Sequence, residues 1–329
     1  MNPSVPPVIN MPHSFSVIIE WENVKLSGLN RAYKMLFGLG EQIKELGTAG
    51  WQPPDLIILY DDQDISREVI MSALNSSMGS TPPPHALKLI PVAGKRYYEL
   101  KNFGATQTEA DILVFLDSDV IPEAGWLATL LGAIERPEVD VVCGNTYIDV
   151  HNLYTRAFAL FWFFPLRSLG SGLVRTERFF ANNVAFRKKV FDTHPFPASM
   201  KIRGQCRDVA LRLVKEGYKL YLHEGARVRH PPPHGLSHFI KRALCAGHDY
   251  AVIARESGRR PTVKIAAHRC LMQTMAAMKR CWNHRAAVNL GKIGSIAAMG
   301  IAGVYFGLAF VGECLTIVSP TIIPRYFAV

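Results

Sequence analysis

The chain has 329 residues, of which 49% are hydrophobic and 19% charged, and it carries a formal net charge of +10. That length exceeds one small domain, and the composition supplies ample core and excludes a long disordered tract. The charge is divided, with 10 Lys/Arg against 19 Asp/Glu in residues 1–150 and 26 against 7 in residues 151–292, so the acidic half would repel phosphate chains, nucleic acid is excluded as a partner, and the basic half suits anionic lipid headgroups.

Residues 1–13 read as a Pro-rich leader, and with no basic n-region and no long apolar core they are not expected to act as a signal peptide. Phe15 to Ile19 reads as a strand, Gly28 to Leu46 as a helix, Pro54 to Tyr60 as a second strand ended by Asp61 and Asp62, and Ser66 to Leu74 as a helix. Leu87 to Val92 is a third strand, and Glu99 to Glu109 is the helix feeding the run ADILVFLDSDV. Strands that alternate with helices and end in polar residues predict a parallel sheet of the nucleotide-binding type over about 14–120. Beyond it, Pro122 to Ile134 reads as a helix and Val139 to Tyr147 as a strand. Tyr154 to Leu166 is aromatic-rich, Phe180 to Phe186 reads as a strand with a helix start at Arg187, a helix begins near Asp208, and Tyr218 to Leu222 is a short strand. His230 to His234, HPPPH, interrupts regular structure.

The run from Ile112 to Leu116 is apolar throughout, as in a strand covered on both faces, and it delivers Asp117 and Asp119 beyond its carboxyl end, where ligands of such sheets gather. On an extended backbone residues i and i+2 point the same way, so both carboxylates face one small volume suited to a hard cation and the phosphates it neutralises.

From Leu236 to Arg255 and from Val263 to Trp282, basic and apolar residues mix at helical spacing, so 236–285 reads as amphipathic helices for a membrane interface or for packing on the globular part. Residues 293–319 contain one ionisable side chain, Glu313, and are long enough to cross a bilayer as one transmembrane helix. Lys279, Arg280, Arg285 and Lys292 precede this span and only Arg325 follows it, which places the large N-terminal part in the cytoplasm. Six cysteines without CxxC spacing point to neither a zinc site nor a disulfide framework, in keeping with that compartment.

Taken in order, these features resemble the family 2 glycosyltransferases of the GT-A fold. The resemblance rests on the strand Ser16 to Glu20, on Asp61 in LIILYDD, on Lys101, Asn102 and Gly104 before the DSD, on FFANNVAFRKKVF, and on RDVALRLVKEGYKLYLHEGARVRH. It covers about residues 14–235 and implies an α/β chain with a Rossmann-like mixed sheet, a nucleotide half of about 14–120 and an acceptor half of about 121–235. It further implies a divalent cation, Mn2+ or Mg2+, on Asp119, with His230 or His234 completing the shell. Glu20, Glu22, Asp61, Lys101, Asp117 and Arg212 would meet a UDP- or GDP-linked sugar, and Asp208 would be the general base. The family usually carries Glu beside that aspartate and this chain has Arg207. The implied activity is inverting transfer of a sugar to a hydroxyl acceptor, with the C-terminal helices favouring a lipid- or polyprenyl-linked one. A nucleotidyltransferase and a non-catalytic membrane scaffold built on the same fold remain the alternatives.

Overall fold

The computed structural model describes residues 13–79 and 84–327, so nearly all of the leader lies outside the described residues. The first part of the chain runs β1 (Phe15–Glu20), α1 (Val24–Ser27), α2 (Leu29–Thr48), β2 (Asp55–Tyr60), α3 (Arg67–Met78), β3 (Ala86–Pro91), α4 (Tyr97–Ala105) and β4 (Ile112–Asp117). The second part runs β5 (Ile121–Pro122), α5 (Trp126–Ile134), β6 (Val141–Ile148), α6 (Leu153–Phe161), β7 (Leu173–Arg175), β8 (Asn183–Arg187), α7 (Lys188–Thr193), α8 (Gln205–Lys215) and β9 (Leu220–His230). Then come α9 (Gly235–Glu256), α10 (Val263–Asn283), a 3-10 turn (Arg285–Val288), α11 (Lys292–Val318) and α12 (Ile322–Tyr326).

The described strands form one mixed sheet in the order β3-β2-β1-β4-β8-β6-β9-β5, with β7 on β9. β3, β2, β1 and β4 are mutually parallel, and β8 enters antiparallel beside β4. The expected parallel sheet is therefore the first half of a mixed one. Alternation along β1 sends Val17 and Ile19 to the face covered by Met35, Leu36 and Leu39 of α2, and Ile18 to the opposite face with Leu100 of α4 and Val209 of α8. Both faces are covered, so these strands are buried at every position and carry apolar runs, Val17 to Ile19 and Ile112 to Leu116, before their acidic ends.

Three boundaries differ from the sequence expectations for tertiary reasons. Ile121 and Pro122 pair with Arg229 and Val228 of β9 instead of starting a helix, and α5 begins only at Trp126, after Gly125 in the left-handed region. The helix before the DSD ends at Ala105, with the Gln107 N–H closing on the Gly104 carbonyl. β9 extends to His230 because β6 supplies a parallel partner along most of its length.

The three C-terminal helices match their predicted spans closely, and α11 is the one described helix long and apolar enough to cross a membrane. It is half-buried against the rest of the chain. Gly247 of α9 faces Ala309 so closely that an added Cβ would lie 1.9 Å from its carbonyl oxygen, and a Cβ on Gly312 would lie 2.2 Å from the Leu244 oxygen. Glu313 is buried and pairs with Arg269 of α10 at 2.5 Å, which explains how a carboxylate is accommodated within the apolar stretch of this helix. Trp162, just past α6, donates its Nε1–H to the Tyr305 hydroxyl of α11 at 3.1 Å. Ile293, Ile296, Val304, Val311 and Val318 remain on the exposed side.

Candidate active site

The sheet brings β1 and β4 side by side with Glu20 opposite Asp117, so two acidic strand ends converge. Their charges are handled unequally. Asp117 accepts the Lys101 Nζ at 2.7 Å and the Tyr97 hydroxyl at 2.8 Å, and Asn23 Nδ2 approaches it at 3.3 Å. Lys101 is fully buried, its ammonium lying 4.7 Å from the Tyr97 ring centroid and 5.7 Å from that of Phe115. Glu20 accepts the Asn23 Nδ2 at 2.7 Å, and burial together with the Asp117 charge pushes its carboxyl well above the usual range.

Asp119 has no such satisfaction. Its Oδ1 is buried without a hydrogen-bond partner among the described residues, and burial, then the Asp117 charge, push the carboxyl up to about 7. Ser118 Oγ, Glu22 Oε2 and Trp21 Nε1 are likewise buried and unpartnered. Four orphaned polar atoms at the ends of two adjacent strands are costly in a folded protein unless a ligand completes them. Arg31 of α2 fixes the backbone there: its Nε donates to the Asp119 carbonyl, Nη2 to the Arg229 carbonyl at 2.8 Å and Nη1 to Asp149 at 3.3 Å.

Beside these strand ends lies a cavity of about 560 Å³, whose lining includes Trp21, Glu22, Lys25, Asp61, Ser66 and Lys95. Asp61 sits at its edge, where its carboxylate accepts the Gln63 N–H at 3.0 Å and the Gly94 N–H at 3.2 Å, bonds that hold it below the usual carboxylate range. Trp21 is 2% exposed and belongs to the core, yet one edge faces this cavity. The volume falls within the roughly 300–1,000 Å³ of ligand pockets.

The other sequence-predicted residues are dispersed. His230 donates Nδ1–H to the Pro231 carbonyl at 2.6 Å and lies 4.6 Å, ring to ring, from Phe164; burial brings it down to about 3, so the ring is neutral with Nε2 free to accept. His234 is exposed, its backbone N–H donating to His238 Nδ1 at 3.0 Å. Among the described residues no group of three His, Cys, Asp or Glu is placed to hold a metal. Arg212 donates to the Pro195 carbonyl at 3.0 Å, on the loop after α7. Asp208 pairs with Lys201, which also reaches Glu256 at 3.2 Å. The start of α8 faces inward through Tyr98, whose hydroxyl is 3.6 Å from Cys206 Sγ and accepts the Gly204 N–H at 3.2 Å.

Sequence reasoning passed over Tyr97, Asn23, Arg31 and Arg203. Arg203 lies 4.5 Å from the Tyr97 ring centroid, and the Glu22, Tyr97, Tyr98 and Glu20 charges outweigh its burial and raise its pKa. No local pattern marks these four, because each reaches the site from a loop or helix whose direction only the tertiary packing sets.

Residues 41–198 match the family model described as glycosyl transferase family 2. No curated protein matches the chain in sequence. Among solved structures the chain is similar to the mannosyltransferase PcManGT from Pyrobaculum calidifontis, in complex with GDP-Man and Mn2+, with a TM-score of 0.55 and 13% identity over 94% of this chain and 88% of that one. It is also similar to GalNAc-T7 with UDP, GalNAc and Mn2+, with a TM-score of 0.49 and 12% identity over 74% of this chain and 50% of that one. At such identities the likeness to PcManGT bears on the fold alone. The match over residues 41–198, just under half of the chain, together with the GT-A fold, supports a glycosyltransferase.

Proposed function

We propose that the chain is an inverting glycosyltransferase that takes a sugar from a nucleotide-diphospho-sugar, in a divalent-cation-dependent reaction, and passes it to the hydroxyl of a lipid-linked acceptor at the cytoplasmic face of a membrane. The observation that carries this reading is the set of four orphaned buried polar atoms, on Trp21, Glu22, Ser118 and Asp119, beside a nucleotide-sized cavity. PcManGT, solved with GDP-Man and Mn2+, suggests the donor class and the ion.

In this reading residues 14–235 form the catalytic domain, 236–285 the interfacial helices and 293–319 a single membrane-crossing helix. Asp61, Glu22 and Trp21 receive the nucleoside, and Asp119 holds the ion by its unpartnered oxygen. A site offering one or two carboxylates suits a cation whose other ligands are the donor's phosphates. When bound, the ion absorbs the charge that develops on the leaving diphosphate. Lys101 and Tyr97 hold Asp117 fixed, with Glu20 in reach, so the acidic pair stays oriented when the donor is absent. Arg203, beside Glu22 and Tyr97, supplies positive charge on the same side. Asp208 is the proposed base; Lys201 holds its Oδ2, and Oδ1 takes the acceptor proton.

The test is thermal stabilisation of the full chain by UDP, GDP and their sugar conjugates with and without Mn2+, followed by nucleoside diphosphate release. A metal-dependent rise with one nucleotide is expected. Equal melting under every condition would overturn the proposal.

A further inference from the structure

The segment 199–204, between α7 and α8, has no regular structure, yet two of its side chains belong to the site. Lys201 holds Asp208, and the Arg203 guanidinium lies 4.5 Å from the Tyr97 ring centroid, where it feels the Glu22 and Glu20 charges and acts on Asp119. Three side chains of α9 fasten this segment from outside. Asp249 accepts the Ile202 N–H on Oδ1 at 2.7 Å and the Arg203 N–H on Oδ2 at 3.1 Å, so both oxygens of one carboxylate grip consecutive amides. His248 donates Nε2–H to the Met200 carbonyl at 3.0 Å, and its Nδ1 lies 3.1 Å from the Thr316 hydroxyl of α11. Glu256, the last residue of α9, accepts the Ser199 hydroxyl at 3.0 Å and meets Lys201 at 3.2 Å.

The grip of Asp249 does not serve α8 as a cap. The N-cap of that helix is Gly204, and the two amides that Asp249 accepts lie before it, on the residue that carries the guanidinium and on its neighbour. Asp249 is only 9% exposed, and a carboxylate is tolerated there because N–H donors meet both of its oxygens. Fixing the backbone at residue 203 fixes the point from which a long, flexible side chain leaves. Such a side chain contributes more to binding when less of its freedom remains to be lost, and guanidinium is the group best matched to phosphate oxygens.

We propose that Asp249 is a positioning residue of the donor site: from α9 it holds the amides of Ile202 and Arg203 and thereby aims the Arg203 guanidinium at the diphosphate of the nucleotide sugar. The inference rests on the glycosyltransferase reading and adds to it a residue that touches no substrate and acts through Arg203.

The experiment uses the full chain with Mn2+ and measures the affinity for UDP and GDP by calorimetry, with melting temperatures recorded alongside. Arg203→Gln is expected to bind the preferred nucleotide about tenfold more weakly. Asp249→Asn keeps one acceptor oxygen and turns an NH2 toward the other backbone N–H, so it is expected to weaken the nucleotide about threefold to tenfold. Loss of a negative charge would by itself strengthen anion binding, so a weaker affinity reports on geometry and not on net charge. In the Arg203→Gln/Asp249→Asn double variant the second change should cost nothing further, because its route to the ligand is already gone. Native affinity in Asp249→Asn would overturn the proposal, and so would a double variant in which the two losses multiply, because a general loosening of the fold acts in both backgrounds. Should Asp249→Asn fail to fold, Arg203→Gln decides: native nucleotide affinity there would overturn the proposal as well. A native chain that binds neither nucleotide counts against the glycosyltransferase function itself, whereas native binding that Asp249→Asn leaves unchanged counts against the positioning role alone.

Discussion

Replacing Lys101 by Met tests whether the acidic strand ends are held by one buried cation. The Lys101 side chain is 0% exposed and its Nζ lies 2.7 Å from Asp117. Breaking a buried pair by removing one partner costs about 3–5 kcal/mol, most of it from the charge left behind. Two features put this case at the lower end: Asp117 keeps the Tyr97 and Asn23 hydrogen bonds, and Glu20, whose carboxyl is already pushed up, can hold a proton in place of the lost cation. About 3 kcal/mol at roughly 2 °C per kcal/mol gives a fall of about 6 °C in melting temperature at a fixed scan rate. The Lys101→Met/Asp117→Asn double variant should recover more than half of that loss, since no uncompensated charge remains. Differential scanning fluorimetry of the native chain, both single variants and the double variant completes the cycle. A Lys101→Met protein that melts within about 1 °C of native, or a double variant no more stable than the single one, would refute the account.

Asp119→Asn removes the buried charge that lacks a partner, so the metal-free protein should melt at the native temperature or above it, while Mn2+-dependent nucleotide stabilisation is lost; retention of that stabilisation would place the ion elsewhere. Asp208→Asn should leave nucleotide binding intact and lower transfer roughly a hundredfold, and unaltered transfer at saturating donor and acceptor would leave Asp208 as the counter-ion of Lys201. Glu123 gives a pH signature: burial raises its carboxyl, but the hydrogen bonds from Arg167, Tyr147 and Arg227 prevail and hold it at about 2, against a usual 4.5. Its folded-state pKa is depressed, so its stabilisation is complete above about pH 4.5 and lost as pH falls toward 2; Glu123→Gln should flatten the melting-temperature profile in that window. Gly312→Val should lower stability by about 1–3 kcal/mol through the contact with the Leu244 backbone, and no change in melting would mean that α11 is not seated on α9.

Strand β4 was legible in the sequence because its apolar run and the DSD that follows are local facts, and so were the apolar runs of β1 and β2, the helical spacing of α9 and α10 and the long apolar stretch of α11. The order of strands was legible only in part. Antiparallel β8 beside β4, the pairing of Pro122 with Val228 and the full length of β9 depend on partners a hundred or so residues away. The same holds at the site. A two-residue spacing places Asp117 and Asp119 together, but it cannot say that one is neutralised by Lys101 and Tyr97 while the other keeps a bare buried oxygen. Nor can it bring Arg31 and Arg203 to that oxygen's surroundings from α2 and the loop before α8. The apolar span 293–319 was evident from composition, which reports the free energy of leaving water and nothing of the neighbour that replaces it. Close approach at Gly247 and Gly312, and an Arg269 placed to meet Glu313, give α11 a buried face along the chain itself, and only tertiary packing decides that half of an all-apolar helix faces protein.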